Sequence, residues 1–248
     1  MKIRFRHLLV WALIVFWPPI SADQAEPRKG RFELQASVTD ILGAEAAAGA
    51  AHVLPVEEPV SWEIYVPENY EPDRPAGLIV YISPTHSGVI PWEWQAVLEE
   101  HNLLWVAANS AGNSVDVQRR ALFALIAPDL MRKHYSIDRA RVYVSGLSGG
   151  GKMASMVATD FAHVFKGAIY NCGVEFWDKK PRRLEAIRQN RYVFVTGEYD
   201  QALRPTRRTH ERYRKAGVEN VKLMVIPGMG HENPDRKHFA EAIEFLDG

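Results

Sequence analysis

Two kinds of apolar run recur along the chain. In segments 31–38 and 60–67, apolar and polar residues alternate, which predicts strands with one buried face. Six further runs are apolar nearly throughout and end in small or turn-forming residues, as strands buried on both faces do. They lie at 77–83, 103–110, 141–146, 167–173, 191–197 and 222–228.

The segments between most of these runs have helical spacing, with apolar residues three or four positions apart. They lie at 91–102, 114–135 (with Ser114 as its cap), 152–162, 206–217 and 235–247. Two antiparallel strands followed by alternating strands and helices predict an α/β fold: a doubly wound, mostly parallel sheet with helices on both faces. In such sheets, ligands bind at the carboxyl ends of the strands.

The N-terminal segment has the pattern of a secretory signal peptide. Lys2, Arg4 and Arg6 precede the apolar stretch 8–17 and the small-residue segment "PPISA". An apolar core of about ten residues is shorter than the roughly twenty that a membrane span needs. We therefore expect cleavage near Ala22, export to the periplasm or medium, and no stable membrane anchor, with an uncleaved anchor as the alternative.

Composition predicts one globular domain after this segment. A chain of 248 residues with 47% hydrophobic content suffices for one large core, so we assign 1–22 to the signal peptide, 23–30 to a linker and 31–248 to a single domain. Loss of the three basic signal residues leaves 27 basic against 30 acidic residues, which does not favour nucleic-acid binding. Cys172 is the only cysteine, so the chain forms no intrachain disulfide.

The stretch "VYVSGLSGGGKMAS" places a serine between a predicted strand and a predicted helix. It contains the pattern Gly146-x-Ser148-x-Gly150, in which the two glycines leave room for a sharp turn that exposes the serine. The pattern predicts Ser148 as a nucleophile and the Gly149 N–H, at the helix N-terminus, as the first oxyanion donor. A glycine-rich turn or phosphate-binding loop is the alternative.

Partners for this serine follow in the order acid and then histidine. Asp200 comes just after the predicted strand 191–197, and His231 follows the last predicted strand in a Gly-x-Gly-His sequence. A serine hydroxyl needs a base, and the base needs an acceptor that fixes its tautomer. We therefore expect His231 to be the general base and then acid, and Asp200 to orient it. Alternative acids are Glu198, Glu175 and Asp178.

The loop after 77–83 is expected to supply the second oxyanion donor. Its sequence "SPTH" predicts the Thr85 N–H, because Pro84 has no N–H to donate. His86 is a candidate substrate contact, with a solvated loop histidine as the alternative.

Aromatic residues near the carboxyl ends are candidate pocket walls. Trp92 and Trp177 are the substrate-binding candidates, with Trp94 and Phe176 beside them; packing in the core or on the surface is the alternative for each. The interval 171–190 is too short for a large lid, so we expect an open cleft.

The segments "YSIDRARVYVSGLSGGGKMASMVA", "VTGEYD" and "PGMGHENP" resemble the α/β-hydrolase superfamily. Within it they are similar to bacterial exported esterases of the polyhydroxybutyrate-depolymerase and feruloyl-esterase-like group, over about 60–246. The resemblance implies ester hydrolysis through an acyl-enzyme without metal or organic cofactor, with the triad on Ser148, Asp200 and His231. The "SPTH" stretch departs from the group's usual His-Gly loop, which leaves the oxyanion geometry open.

The leading hypothesis is a secreted serine esterase acting on a small-molecule or polymer ester. A serine peptidase of prolyl-oligopeptidase type is the first alternative, although such peptidases usually carry a propeller or other gating domain. A non-catalytic binding protein on the same fold is the second.

Overall fold

The eight predicted runs form the eight strands of one sheet in the computed structural model, which describes residues 27–177 and 181–248. The strands are β1 (Gly30–Ala36), β2 (Val60–Val66), β3 (Ala76–Ile82), β4 (Leu103–Ala108), β5 (Ile137–Leu147), β6 (Gly167–Asn171), β7 (Arg191–Gly197) and β8 (Val221–Ile226). The helices are α1 (Val38–Leu42), α2 (Ala44–Ala48), α3 (Gln95–His101), α4 (Val117–Arg132), α5 (Gly149–Asp160), α6 (Leu184–Gln189), α7 (Leu203–Lys215) and α8 (Arg236–Asp247), with a 3-10 helix at Trp92–Trp94.

The predicted signal segment 1–22 and residues 23–26 of the predicted linker 23–30 lie outside the described residues. Among the residues that are described, no helix combines the length and the apolar character needed to cross a membrane.

The sheet is mostly parallel, as the sequence predicts. Its strand order is β1-β2-β4-β3-β5-β6-β7-β8. The first strand pairs antiparallel with β2, and β2 pairs antiparallel with β4. The pairs β4-β3, β3-β5, β5-β6, β6-β7 and β7-β8 are all parallel, so the carboxyl ends of β3, β5, β6, β7 and β8 meet at one edge.

Both faces of the sheet are covered. All seven residues of β3 are buried: Leu78, Val80 and Ile82 point into one apolar cluster, while Ile79 and Tyr81 point into the other. Helices α4, α5 and α7 contribute to the first cluster, and α3 and α8 to the second. Successive side chains of a strand point to opposite faces of the sheet. Because β3 is apolar throughout, it contributes to the core on each face.

Helix boundaries differ from the predicted ones where a polar side chain caps the backbone. The first strand ends at Ala36 because Ser37 caps α1: its hydroxyl accepts from Asp40 N–H, and the Asp40 carboxylate accepts from Ser37 N–H. Helix α4 begins three residues after Ser114, because Asp116 is its cap and accepts from the Gln118 N–H at 2.8 Å. The short helices α1, α2 and α6 have no counterpart among the predicted elements.

The turn between β5 and α5 passes directly against backbone of β3. A Cβ built on Gly146 would lie 2.7 Å from Ile82 O and 2.5 Å from Gly150 O. A Cβ on Gly150 would overlap Ile82 O and lie 2.9 Å from its carbonyl carbon. Because these neighbours are backbone atoms of the central strand β3 and of the first turn of α5, they have no room to move aside.

We predict that Gly150→Ala lowers the free energy of unfolding by about 1–3 kcal/mol or more, since overpacking against backbone strains the fold. Urea unfolding followed by circular dichroism measures it. Gly49→Ala is the matched control: its φ is −64°, and its added Cβ meets only Ala46 O at 3.4 Å. Equal urea midpoints for Gly150→Ala and wild type would contradict the close approach.

Candidate active site

Ser148 occupies a strained backbone position at the sheet edge. It is the N-cap of α5, with φ of 56° and ψ of −118°. A non-glycine residue held there costs about 1–3 kcal/mol and persists only when its surroundings fix it. Its N–H donates to Asn171 O at 2.8 Å, and a Cβ on Gly173 would overlap Ser148 O. Packing on both sides thus holds the serine in its turn.

A continuous line of hydrogen bonds joins Ser148, His231 and Asp200. Ser148 Oγ lies 2.8 Å from His231 Nε2, and His231 Nδ1 lies 2.7 Å from Asp200 Oδ1. An ionised carboxylate only accepts hydrogen bonds, so Nδ1 carries the ring proton and Nε2 presents its lone pair to the serine hydroxyl. The imidazole is therefore in the tautomer that can take a proton from Ser148.

Asp200 is buried but well supplied with donors. Its side chain is fully buried, while the His231 side chain is 34% exposed. Asp200 accepts from Thr196 Oγ1 and from Ala202 N–H, each at 2.9 Å. Burial acts to raise the pKa of Asp200, but the bonds from Ala202, His231, Cys172 and Thr196 outweigh it and hold the pKa below its ordinary value. The carboxylate therefore stays ionised near neutral pH.

The loop that carries His231 is packed on the ends of β6 and β7. A Cβ on Gly197 would lie 2.5 Å from the carbonyl carbon of Met229. Beneath the loop, the Cys172 thiol donates to Glu232 O at 3.2 Å. Burial, together with Asp200, raises the pKa of Cys172 to about 12. The loop is therefore supported by the neutral Cys172 thiol and packs against the backbone of Gly197.

Cys172, Asp200 and His231 also form the one cluster in the described residues whose ligand atoms are close enough to hold a metal ion, within 4.8 Å of one another. Metal coordination by cysteine needs the thiolate, and the raised pKa of Cys172 disfavours it.

The alternative acids lie elsewhere or outside the description. Glu198 Oε2 accepts from the Gly228 N–H at 3.1 Å, and Glu175 pairs with Lys152 at 3.3 Å. Asp178 lies outside the described residues.

The two predicted oxyanion donors differ in whether their N–H group already has a hydrogen-bond acceptor. Gly149 is the first residue of α5, so its N–H has no acceptor within the helix. The Thr85 N–H donates to Ser83 Oγ at 3.2 Å, within its own loop. The buried Arg120 holds the start of that loop by donating to Ser83 O at 2.9 Å. Thr85 therefore stays a prediction, and an oxyanion would have to displace the Ser83 hydroxyl to use it.

The predicted substrate-binding residues are dispersed. His86 Nε2 lies 3.1 Å from Ser114 Oγ, and Trp92 is 81% exposed in the 3-10 helix. Trp177 stacks on Phe176, with ring centroids 4.1 Å apart. In the described part of the chain, none of the predicted substrate-binding or wall residues hydrogen-bonds to or stacks on a residue of the triad. These residues are His86, Trp92, Phe176 and Trp177.

Trp94, beside Trp92, is a core residue. It is fully buried, stacks on Phe239 at 3.8 Å and donates to Pro234 O at 2.9 Å. It therefore supports the end of the His231 loop and does not line a pocket wall.

One side chain beside the serine has no counterpart among the predicted residues. The Asn113 carboxamide, in the loop after β4, occupies the space where a Cβ on Gly149 would stand; Oδ1 is its nearest atom, with Cγ 2.7 Å and Nδ2 2.8 Å from that position. No local pattern in "NSAGNS" indicates this proximity, because this loop and the turn at 146–150, the nucleophile elbow, are brought together only by the sheet.

We predict that Asp200→Asn flattens the dependence of thermal stability on acid pH. The pKa of folded Asp200 is below the roughly 3.9 of an unfolded aspartate, so its contribution is present above about pH 4 and is lost as pH falls through the folded pKa. Asparagine has no proton to bind. Melting temperatures between pH 6 and pH 3 should fall less in the variant than in wild type.

Asp73→Asn, an exposed residue between β2 and β3, is the matched control and should behave as wild type. Equal losses in wild type and Asp200→Asn would refute a lowered pKa.

Comparison with known proteins agrees with this architecture. The family model of the prolyl oligopeptidase family matches residues 124–247, which is half of the chain. None of the curated proteins matches the chain in sequence.

Solved structures share the fold at low identity. The feruloyl esterase module from Clostridium thermocellum, complexed with sinapinate, matches with a TM-score of 0.63 and 13% identity, over 93% of this chain and 96% of that chain. An S-formylglutathione hydrolase from Staphylococcus aureus matches with a TM-score of 0.62 and 13% identity, over 88% of this chain and 99% of that chain. Dipeptidyl peptidase 4 from Porphyromonas gingivalis matches with a TM-score of 0.57 and 18% identity, over 77% of this chain and 34% of that chain.

The predicted mostly parallel fold and the resemblance to α/β-hydrolases are thereby confirmed. The family match covers the segment from α4 to α8, which contains the elbow and the loops of Asp200 and His231. The chain belongs to the prolyl oligopeptidase family, has the α/β-hydrolase fold and is a serine hydrolase.

Proposed function

We infer that the protein is an exported esterase that hydrolyses carboxylic esters through an acyl-enzyme, with Ser148 as nucleophile, His231 as general base and acid, and Asp200 as the orienting acid. The observation that carries this proposal is the continuous line of hydrogen bonds from Ser148 Oγ through the His231 ring to Asp200. Such a line activates a hydroxyl that is otherwise a weak nucleophile at neutral pH.

In the acylation step, Ser148 Oγ attacks the ester carbonyl carbon while its proton moves to His231 Nε2. Asp200 stabilises the resulting imidazolium through the Nδ1–H bond. The Gly149 N–H donates to the oxyanion of the tetrahedral intermediate. His231 then gives the proton to the alcohol oxygen as its bond to carbon breaks. Water repeats the sequence to release the acid and restore Ser148.

Two features favour ester substrates. The esterase and hydrolase structures that share the fold match over nearly their whole length, whereas the dipeptidyl peptidase matches over 34% of its chain. Ser148 is half-buried and the His231 side chain is 34% exposed, so an ester can reach both from solvent. Peptide hydrolysis is the second candidate, because the matching family model is that of prolyl oligopeptidases.

We predict turnover of p-nitrophenyl acetate and butyrate by the chain from Asp23. Ser148→Ala and His231→Ala should lower kcat by about 10⁴-fold or more without changing the melting temperature, because each removes the nucleophile or its base. His52→Ala, at an exposed histidine far along the chain from the motifs, is the matched control and should keep wild-type kcat.

A glycyl-prolyl p-nitroanilide assayed in parallel separates ester from peptide hydrolysis. A kcat/KM for this amide above that for the esters would establish the peptidase instead. Folded protein that turns over neither class would favour a non-catalytic binding protein.

Export has its own test. Expression of the full-length chain in a bacterial host should give a periplasmic or extracellular protein whose N-terminus, read by mass spectrometry, is Asp23. A chain recovered from the membrane fraction with Met1 still present would identify an uncleaved anchor.

A further inference from the structure

We propose that the side-chain amide of Asn113 is the second hydrogen-bond donor to the oxyanion, beside the Gly149 N–H. This proposal rests on the proposed ester hydrolysis and assigns one more catalytic residue to it. Asn113 lies in the loop after β4, outside the sequence motifs that contain Ser148, Asp200 and His231.

The first argument is position. The Asn113 carboxamide fills the space next to the Gly149 α-carbon: Oδ1 is the atom nearest to where a Cβ would stand, and Nδ2 lies 2.8 Å from that position. Within the described residues no hydrogen bond holds the amide in this orientation, so rotation of the amide brings Nδ2 to the place of Oδ1. Gly149 directly follows Ser148, and its N–H has no acceptor within α5 because it lies in the first turn of the helix. A donor beside Gly149 is therefore next to the place where the oxyanion forms.

The second argument is rigidity. The Asn113 N–H donates to Pro84 O at 2.9 Å, and the Ser110 N–H donates to His86 O at 2.8 Å. These bonds tie the loop after β4 to the loop after β3 on both sides of Gly112, where an added Cβ would lie 2.7 Å from the Thr85 carbonyl carbon. The Asn113 backbone is thus fixed before substrate arrives, as electrostatic stabilisation requires.

The third argument is availability. In the described residues, no hydrogen bond engages the Asn113 carboxamide, and the side chain is exposed toward solvent. The nearby Asn109, by contrast, uses both ends of its amide: Oδ1 accepts from the Gly88 N–H at 2.8 Å, and Nδ2 donates to Ser61 Oγ at 3.0 Å. Thr85, the donor predicted from the sequence, already directs its N–H to Ser83 Oγ.

The same geometry couples the residue after the nucleophile to Asn113. In the pattern Gly-x-Ser-x-Gly the residue after serine is unrestricted. Here a methyl group on Gly149 would overlap the Asn113 amide, so position 149 and Asn113 form a coupled pair.

The test measures kcat, KM and melting temperature for Asn113→Ala, Asn113→Asp and Gly149→Ala with p-nitrophenyl butyrate. Loss of one oxyanion donor should lower kcat by about 10²–10³-fold with KM nearly unchanged. Asn113→Asp keeps the size of the side chain and removes the donor, so it decides the question if Asn113→Ala does not fold. The Ki of a phenylboronic acid, which forms a tetrahedral serine adduct, should rise by the same factor as kcat falls.

The coupled pair supplies a further control. Gly149→Ala should lower kcat in the wild-type background and have little further effect in the Asn113→Ala background. A kcat within threefold of wild type for both Asn113 variants, in a wild-type protein that does hydrolyse the ester, would overturn the assignment of Asn113 alone. An inactive wild-type protein would overturn the proposed ester hydrolysis and this assignment together.

Discussion

The close approach of the turn after β5 to the end of β3 is the constraint on which the rest of the site depends. Gly150 lies against the carbonyl of Ile82 with no room for a side chain. This contact holds Ser148 in a left-handed backbone conformation that its own side chain disfavours. It also places Gly149 beside the loops after β3 and β4, where Asn113 stands over it. The nucleophile and the N-terminus of α5, with the Gly149 N–H, are thus positioned by backbone packing.

The parallel sheet supplies the other half of the site. Because β6, β7 and β8 end at the same edge as β5, the residues that follow them converge. Cys172 after β6 supports the loop that follows β8, Asp200 after β7 supplies an ionised carboxylate, and His231 bridges from it to the serine. The donors around Asp200, including Thr196, outweigh the effect of burial on its pKa. The buried charge of Asp200 is stabilised there because several donors form hydrogen bonds with it.

Local patterns account for what the sequence predicts well. Six strands are runs of apolar residues that end in small or turn-forming residues, and two alternate apolar and polar residues. Ser148, Asp200 and His231 each follow one of the apolar runs. What sequence could not predict depends on contacts between distant segments. Trp177 packs against Tyr213 of α7, with ring centroids 4.7 Å apart, and its own segment does not encode this contact. Asn113 is brought to the elbow only because β4 and β5 lie on either side of β3.

The central claim is that one activated serine stands at this edge of the sheet. Intact-mass and peptide mass spectrometry after treatment with a fluorophosphonate test it most directly, with His231→Ala in parallel. The account predicts one adduct per folded wild-type chain, located on Ser148, and much slower labelling of the variant, because the base is lost. Folded protein that takes up no adduct, or takes it up on another residue, would contradict it.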